Sequence, residues 1–347
     1  MCEHSELTEM VAKKSVVETV APAAEDKQKV KKQLEKIPVK DIKVTKGMTV
    51  DEMLQAMGRS GGFTSQKLAD ATDIAEKMIT KQGCLRILSF PACLMATGTR
   101  GVLVDMVKNH MVDLIITTCG CLDHDLSRLY AAYYKGEFLM DDKMLRDNEV
   151  SRLGNVLVPD ECYGLVLEDK VLPMFDEIFA ETQSLSTHEI IDKVGEKLEK
   201  VKGHEDSLLW NAHVNHIPIV VPGITDGSFG CQLWMYYQTH RKLRIDLFAD
   251  EQMLSEMTNE AKYTGAIIIG GGISKHHVIW WNQFRGGLDY CIYLTTAEEY
   301  DGSLSGARIR EAVSWGKVKS TAKKMTVEGD ATITLPLIYA GVANRIL

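Results

Sequence analysis

Beyond about residue 43 the chain alternates two hydrophobic patterns. Short, nearly continuous apolar runs, LRILSF (85–90), VDLIITT (112–118), NVLVP (155–159), IPIVVPG (217–223), GAIIIGGG (265–272), DYCIYLTT (289–296) and ATITLPL (331–337), are separated by helix-length segments such as 66–81, 97–111, 188–202 and 229–241. Runs without an exposed polar side belong to strands buried on both faces, and strands separated by helices form parallel sheets. The pattern predicts an α/β fold, Rossmann-like and doubly wound, with a mostly parallel sheet of about seven strands and helices on both faces. Residues 1–43 break this pattern, being polar and charge-rich (AAEDKQKVKKQLEKIPVK) around an APAA patch. They read as a charged N-terminal arm ahead of a single domain over 44–347.

Composition narrows the function classes. The 347 residues are 45% hydrophobic and 25% charged, enough to bury a large core. Forty Lys+Arg stand against forty-eight Asp+Glu, a formal charge of −8 with no basic block of the kind that releases counterions from nucleic acid. The eight cysteines are scattered without a CxxC pair and read as reduced thiols. The first residues, MCEHSELTEMVAKK, carry no apolar signal segment, and no run approaches the ~18 apolar residues of a membrane span. A cytoplasmic location is expected, with neither membrane nor nucleic acid as partner.

In parallel sheets ligands bind at the carboxyl ends of strands. Four such ends are rich in Gly, Thr, Asp and His: TTCGCLDHD (117–125), PGITDGSFG (222–230), GGGISKHH (270–277) and TTAEEYDGSLSGAR (295–308). In the third, glycines precede a helix that Ser274 can cap, a geometry suited to a pyrophosphate or simply to a tight turn. His276 and His277 would fall in the first helical turn, where the positive dipole end favours neutral imidazole, either as a base or as a structural hydrogen-bond partner. In the first, Cys119, Cys121, Asp123, His124 and Asp125 are potential ligands, but the spacing departs from zinc patterns and no metal is expected. Asp226 and Asp301 open D-G-S turns. In EAVSWGKVKS (311–320), a short helix over 307–315 ends at Gly316, the residue type that adopts a left-handed conformation. Lys317 then projects from a stiff corner near an indole and near a second cation, Lys319. That is a setting for an amine nucleophile, the alternative being an ordinary surface lysine.

Taken together, GGGISKHH, DYCIYLTTAEEYDGSLSGARIREAVSWGKV and VEGDATITLPL closely resemble deoxyhypusine synthase, particularly its archaeal-type members, over about residues 40 to 340. The resemblance implies NAD as cofactor, a homotetramer with active sites at subunit interfaces, and transfer of the aminobutyl group of spermidine to a lysine of the hypusine-bearing translation initiation factor. It implies Lys317 as the imine-forming residue and His276 as the proton-transfer residue. It places Glu311 and Trp315 in the polyamine tunnel, with Gly271, Gly302, Ser303, Asp123 and His124 also on the substrate side. On the cofactor it places Ala92, Cys93, Leu94, Met95, Ala96, Thr118, Cys119, Gly120, Asp226, Thr296, Ala297, Asp301, Asp330 and Ala331. Leu304, Cys231 and His124 stand where eukaryotic members carry acids that hold the amino groups of spermidine, leaving Asp123, Asp125 and Glu311 as candidate anchors. Transfer to a small amine as in homospermidine synthesis, agmatine as donor, and a non-catalytic regulatory paralogue are the alternatives.

Overall fold

Six segments pair side by side in a parallel sheet: β1 (Cys84–Phe90), β2 (Leu114–Thr117), β3 (Ile219–Val220), β4 (Tyr263–Ile269), β5 (Leu288–Thr295) and β6 (Val318–Glu328). They belong to a computed structural model that describes residues 24–34 and 36–347, so most of the expected N-terminal arm lies outside the described residues. The chain divides into two units, residues 1–40 and 41–347. In the first, residues 24–34 form the helix Ala24–Leu34 and residues 36–40 are irregular. The sheet and the helices that cover it belong to the second.

The spatial order is β6-β5-β4-β1-β2-β3. The chain enters at β1, steps outward to β3, then returns to place β4 on the other side of β1. Leu88 of β1 is thereby in register with both Ile115 and Ile267. Where the order reverses, the carboxyl ends of β1 and β4 diverge, which is where parallel sheets open a crevice.

Alternation along each strand sends side chains into two separate clusters. Leu88 and Phe90 join Ala71, Ala75 and Met78 of α1 (Phe63–Ile79) and Leu335, Ile338 and Val342 of α10 (Ala331–Ile346). Leu85 and Ile87 join the opposite cluster, with Leu254 of α7 (Leu247–Glu260), Val278 and Ile279 of α8 (Gly272–Phe284), and Ile309 and Ala312 of α9 (Ile309–Ser314). Helices therefore cover both faces of the sheet. Each fully buried Leu, Ile or Phe contributes roughly 1.5–3 kcal/mol relative to exposure, so neither face is optional.

The sheet has six strands rather than about seven, and two of the expected strands lie elsewhere. NVLVP pairs antiparallel with Val150–Leu153 through a two-residue Gly154–Asn155 turn, and Tyr134–Lys135 completes this small separate sheet. A loop so short makes a hairpin and leaves no room for a crossover. ATITLPL opens α10, because Asp330 accepts hydrogen bonds from Thr332 N (2.9 Å) and Thr332 Oγ1 (2.8 Å) and so caps the helix. Its apolar residues alternate with period two over seven positions, while the helical period emerges only further on. Conversely β6, VKSTAKKMTVE, is not legible as a strand from its sequence. It is an edge strand paired to β5 alone, and its lysines suit an edge exposed to water.

Candidate active site

Lys317 stands where α9 gives way to β6. Gly316 has φ +70°, its N–H donates to Val313 O (3.0 Å) and the Lys317 N–H donates to Ala312 O (2.9 Å), which closes the helix sharply. The Lys317 carbonyl then accepts from Leu288 N (3.1 Å), so the backbone is already committed to the sheet. The side chain is only 8% exposed. Its Nζ lies 3.4 Å from His276 Nε2, 5.4 Å from the Trp315 ring centre and 5.7 Å from that of Trp280. Lys319 is not the neighbouring cation expected of it, since its ammonium is bound to Asp289 Oδ1 (2.6 Å).

His276 sits on the second turn of α8, because the helix begins at Gly272 with Gly271 as its cap. Ser274 does not cap it, and its Oγ is buried without a hydrogen-bond partner among the described residues. Gly271 passes so close to Ser305 that a Cβ there would lie 2.5 Å from the Ser305 backbone nitrogen. Burial, then the Lys317 charge, then His277 push the His276 imidazole below its ordinary value. The ring stacks on Trp280 (5.5 Å, 26°). His277 faces away, bonded to Glu251 Oε1 (2.9 Å), and Trp281 Nε1 donates to the same carboxylate.

Lys317 and His276 open on a cavity of ≈ 560 Å³ between α8 and α9, lined also by Glu311, Trp315, Ile279, Gln283, Tyr293, Leu304, Ala307 and Arg308. Sequence reasoning missed Lys275, which lines it as well. The Lys275 ammonium is buried over the Tyr293 ring (3.9 Å) and donates to Leu304 O (2.6 Å) and Ala307 O (3.0 Å). Burial brings it down to about 8. It ties the segment 304–307 to α8.

That segment has a second side. Ser303 and Ser305 line another cavity, of ≈ 500 Å³, at the divergence of β1 and β4. Cys93 and Leu94 after β1, Gly270 after β4, Thr295, Thr296 and Ala297 after β5, and Asp330 and Ala331 at the start of α10 converge there, beneath Leu153 and Asn155 of the small hairpin. Its chemistry suits a dinucleotide: the Asp301 and Asp330 carboxylates for ribose hydroxyls, the Thr296 hydroxyl, and Ile269, Leu294 and Leu94 as an apolar wall for a ring. No Lys or Arg lines it among the described residues. Thr97, Asn155, Val156 and Thr332 are shared with a neighbouring cavity of ≈ 690 Å³ that reaches Ala96, Gly98 and Thr99.

The family model for deoxyhypusine synthase matches residues 52–342. The chain belongs to the deoxyhypusine synthase family. A relative from Picrophilus torridus, named "Probable deoxyhypusine synthase", is 50% identical over 308 residues, which cover 89% of this chain and 97% of that protein. One of the same name from Thermoplasma acidophilum is 47% identical over 310 residues, covering 89% and 98%. A crystal structure from Entamoeba histolytica assigned as a deoxyhypusine synthase covers 87% of this chain and 96% of its own at 20% identity, with a TM-score of 0.62, a likeness of fold.

Several residues that the resemblance to deoxyhypusine synthase assigns to ligands do not line the Lys317 cavity of the same chain. Asp123, on α3 (Cys119–Tyr130), is fully buried and accepts from Tyr163 Oη (2.6 Å), Ser228 N (2.9 Å) and Phe229 N (2.7 Å). It caps α6 (Ser228–Thr239) rather than facing the Lys317 cavity. Asp125 is fully buried too, paired with Arg100 (2.8 Å) and accepting from Ser207 Oγ, Leu208 N and Leu209 N. Neither lines the Lys317 cavity of the same chain; Asp125 has about four acceptor positions filled, and Asp123 three. His124 bonds Tyr133 Oη (2.9 Å) and is held down to about 4 by burial and then by Arg128. Cys119 and Met95 are core residues. Thr118 and Gly120, at the start of α3, Ala92 and the exposed Asp226 lie outside the linings of the three cavities above. Gly302, at φ +73°, turns the chain so that Ser303 faces the ≈ 500 Å³ cavity, not the Lys317 cavity. Among the described residues no three His, Cys, Asp or Glu side chains gather in a metal-holding group.

Proposed function

We propose that the chain is an NAD-dependent aminobutyltransferase, taking the aminobutyl group of spermidine to a lysine of the hypusine-bearing translation initiation factor through an imine on Lys317. The observation that carries this reading is the placement of the Lys317 amine 3.4 Å from an imidazole held neutral by burial, inside an aromatic-walled cavity. Bound NAD supplies the acceptor and later the donor of a hydride. The rest falls to the chain. As the carbon of the donor C–N bond gives up its hydride, neutral His276 takes the N–H proton; the Lys317 amine then adds to the carbon so activated, and the old C–N bond breaks, releasing 1,3-diaminopropane with the proton returned to it. Trp280 and Trp315 exclude water from the imine, and Lys275 holds the wall between the two cavities in place.

In this reading NAD occupies the ≈ 500 Å³ cavity, held by Thr296, Ala297, Asp301, Asp330 and Ala331, with Cys93 and Leu94 beneath. The segment 303–308 separates that cavity from Lys317, so a second copy of the chain completes each site, within a homotetramer. The lining favours this: Trp280 and Trp315 are 40% and 63% exposed at the Lys317 cavity, and Phe284, edge-on to Trp280, is 59% exposed. The strand order and the two-sided helix cover support a doubly wound fold, with residues 44–347 as one catalytic domain working in the cytoplasm. No described helix is long and apolar enough to cross a membrane.

Borohydride trapping with labelled spermidine tests the assignment. The label is expected on Lys317 and absent from Lys317→Arg, whose guanidinium forms no imine; equal labelling of the variant overturns it. Because Leu304 and Cys231 replace family acids, agmatine and putrescine belong in the same assay, with and without the initiation factor.

A further inference from the structure

Resting on the function proposed for Lys317, we propose that Gln283 binds a terminal ammonium of the polyamine donor, sharing with Glu311 the task of recognising its charged ends in the Lys317 cavity. The starting point is a shortage of acceptors. Three cationic side chains, Lys275, Arg308 and Lys317, line this cavity, and Glu311 is the only carboxylate among the described residues that line it. Leu304 offers no side-chain acceptor, and its carbonyl is taken by Lys275. An ammonium brought in without acceptors would be costly. Gln283 lines the cavity, and its Oε1 is turned away from solvent without a hydrogen-bond partner among the described residues, so a rotation of the side-chain amide would bring an unused acceptor to the cavity. A buried amide oxygen left unpaired costs about 1–3 kcal/mol, a cost that an ammonium bound to it would relieve.

The geometry of α8 suits a polyamine. His276, Ile279, Trp280 and Gln283 follow the i, i+3, i+4, i+7 spacing of one helical face, and all four line the cavity. Seven residues separate His276 from Gln283, about 10 Å along the axis. The face thus presents a proton-handling group, an apolar stretch and an amide acceptor in turn, which matches an amine, a methylene chain and a second amine. The helix dipole points the same way. Gln283 lies in the last turn, where carbonyl ends favour a cation, and His276 lies nearer the end that disfavours one. Arg285, two residues further along, is already bound to Asp289, Thr264 and the Gly287 and Ala261 carbonyls.

Steady-state kinetics with spermidine on the NAD-loaded enzyme test this. Gln283→Met, close in shape but without an acceptor, is expected to raise KM about tenfold and leave kcat within about twofold, since the group holds substrate and does no chemistry. Gln283→Glu is expected to lower KM below that of the unmodified enzyme. Of two spermidine analogues, each with one terminal amine replaced by hydrogen, one should inhibit Gln283→Met and the unmodified enzyme equally. Unchanged KM in both variants, with Lys317 still trapped by borohydride, overturns the role of Gln283. Absence of trapping in the unmodified enzyme overturns the function instead, so the two failures are distinguishable.

Discussion

On the second turn of α3, Asp123 accepts three hydrogen bonds and Asp125 four, from backbone amides, hydroxyls and a guanidinium. Around Lys317 the balance is reversed: Lys317 Nζ has one long contact with His276, and Gln283 Oε1 has no partner among the described residues. Both regions bury charged or strongly polar groups beside aromatic rings. The first gives them three and four partners, fixing the starts of α6 and of α5 (Leu208–Val214), and so builds a joint between helices. The second leaves capacity unused and keeps a cavity beside it. Hydrogen-bond saturation, rather than residue type, separates a structural carboxylate from a substrate anchor.

Substitutions in the two regions should damage different properties. The largest effect is expected at Lys317→Arg: a loss of transfer of about a thousandfold or more, since covalent catalysis is removed, with cooperative unfolding and NAD binding retained. Next, Asp125→Ala leaves the Arg100 guanidinium buried and unpaired, which costs about 3–5 kcal/mol of stability. Chemical denaturation measures it, and spermidine KM should stay constant in the protein that folds. Should KM rise while stability holds, Asp125 belongs to the amine site and the contrast fails. Asp123→Asn is milder, about 1–3 kcal/mol, because the amide keeps an acceptor oxygen for one of the Ser228 and Phe229 N–H groups, which bond to different oxygens of Asp123, and loses the charge.

The smallest effect sharpens the comparison at His276. Its imidazole titrates below 6.5, so activity should fall on the acid side only below pH 6.5, as protonation removes the acceptor. The folded chain binds fewer protons than the unfolded one between the lowered value and 6.5, so this group makes stability rise with pH across that window. Burial is the larger cause and the Lys317 charge the smaller. NMR titration of Lys317→Met should therefore move His276 upward without restoring 6.5. Full restoration would mean that the charge, not the burial, sets it.

What the sequence determined by itself is local. LRILSF and GAIIIGGG announce buried strands because nearly every position is apolar, and SWGK announces a corner because Gly316 alone among its neighbours takes φ +70° at no steric cost. Glu311 and Trp315, four apart on a short helix, are likewise readable as neighbours of one cavity. Tertiary structure decided whatever depended on a partner far along the chain. ATITLPL carries the alternation of a strand, and the cap at Asp330 and the packing of Leu335 and Ile338 against the sheet make it a helix. Lys275 is one more charged residue in the sequence until its ammonium meets the carbonyls of Leu304 and Ala307, 29 and 32 residues away. Asp125 has the look of a ligand until folding brings it the amides of Leu208 and Leu209. Backbone conformation is governed by the residue itself and its neighbours, while the state of a buried polar group is governed by which donors and acceptors the fold delivers to it, and only the assembled chain determines those.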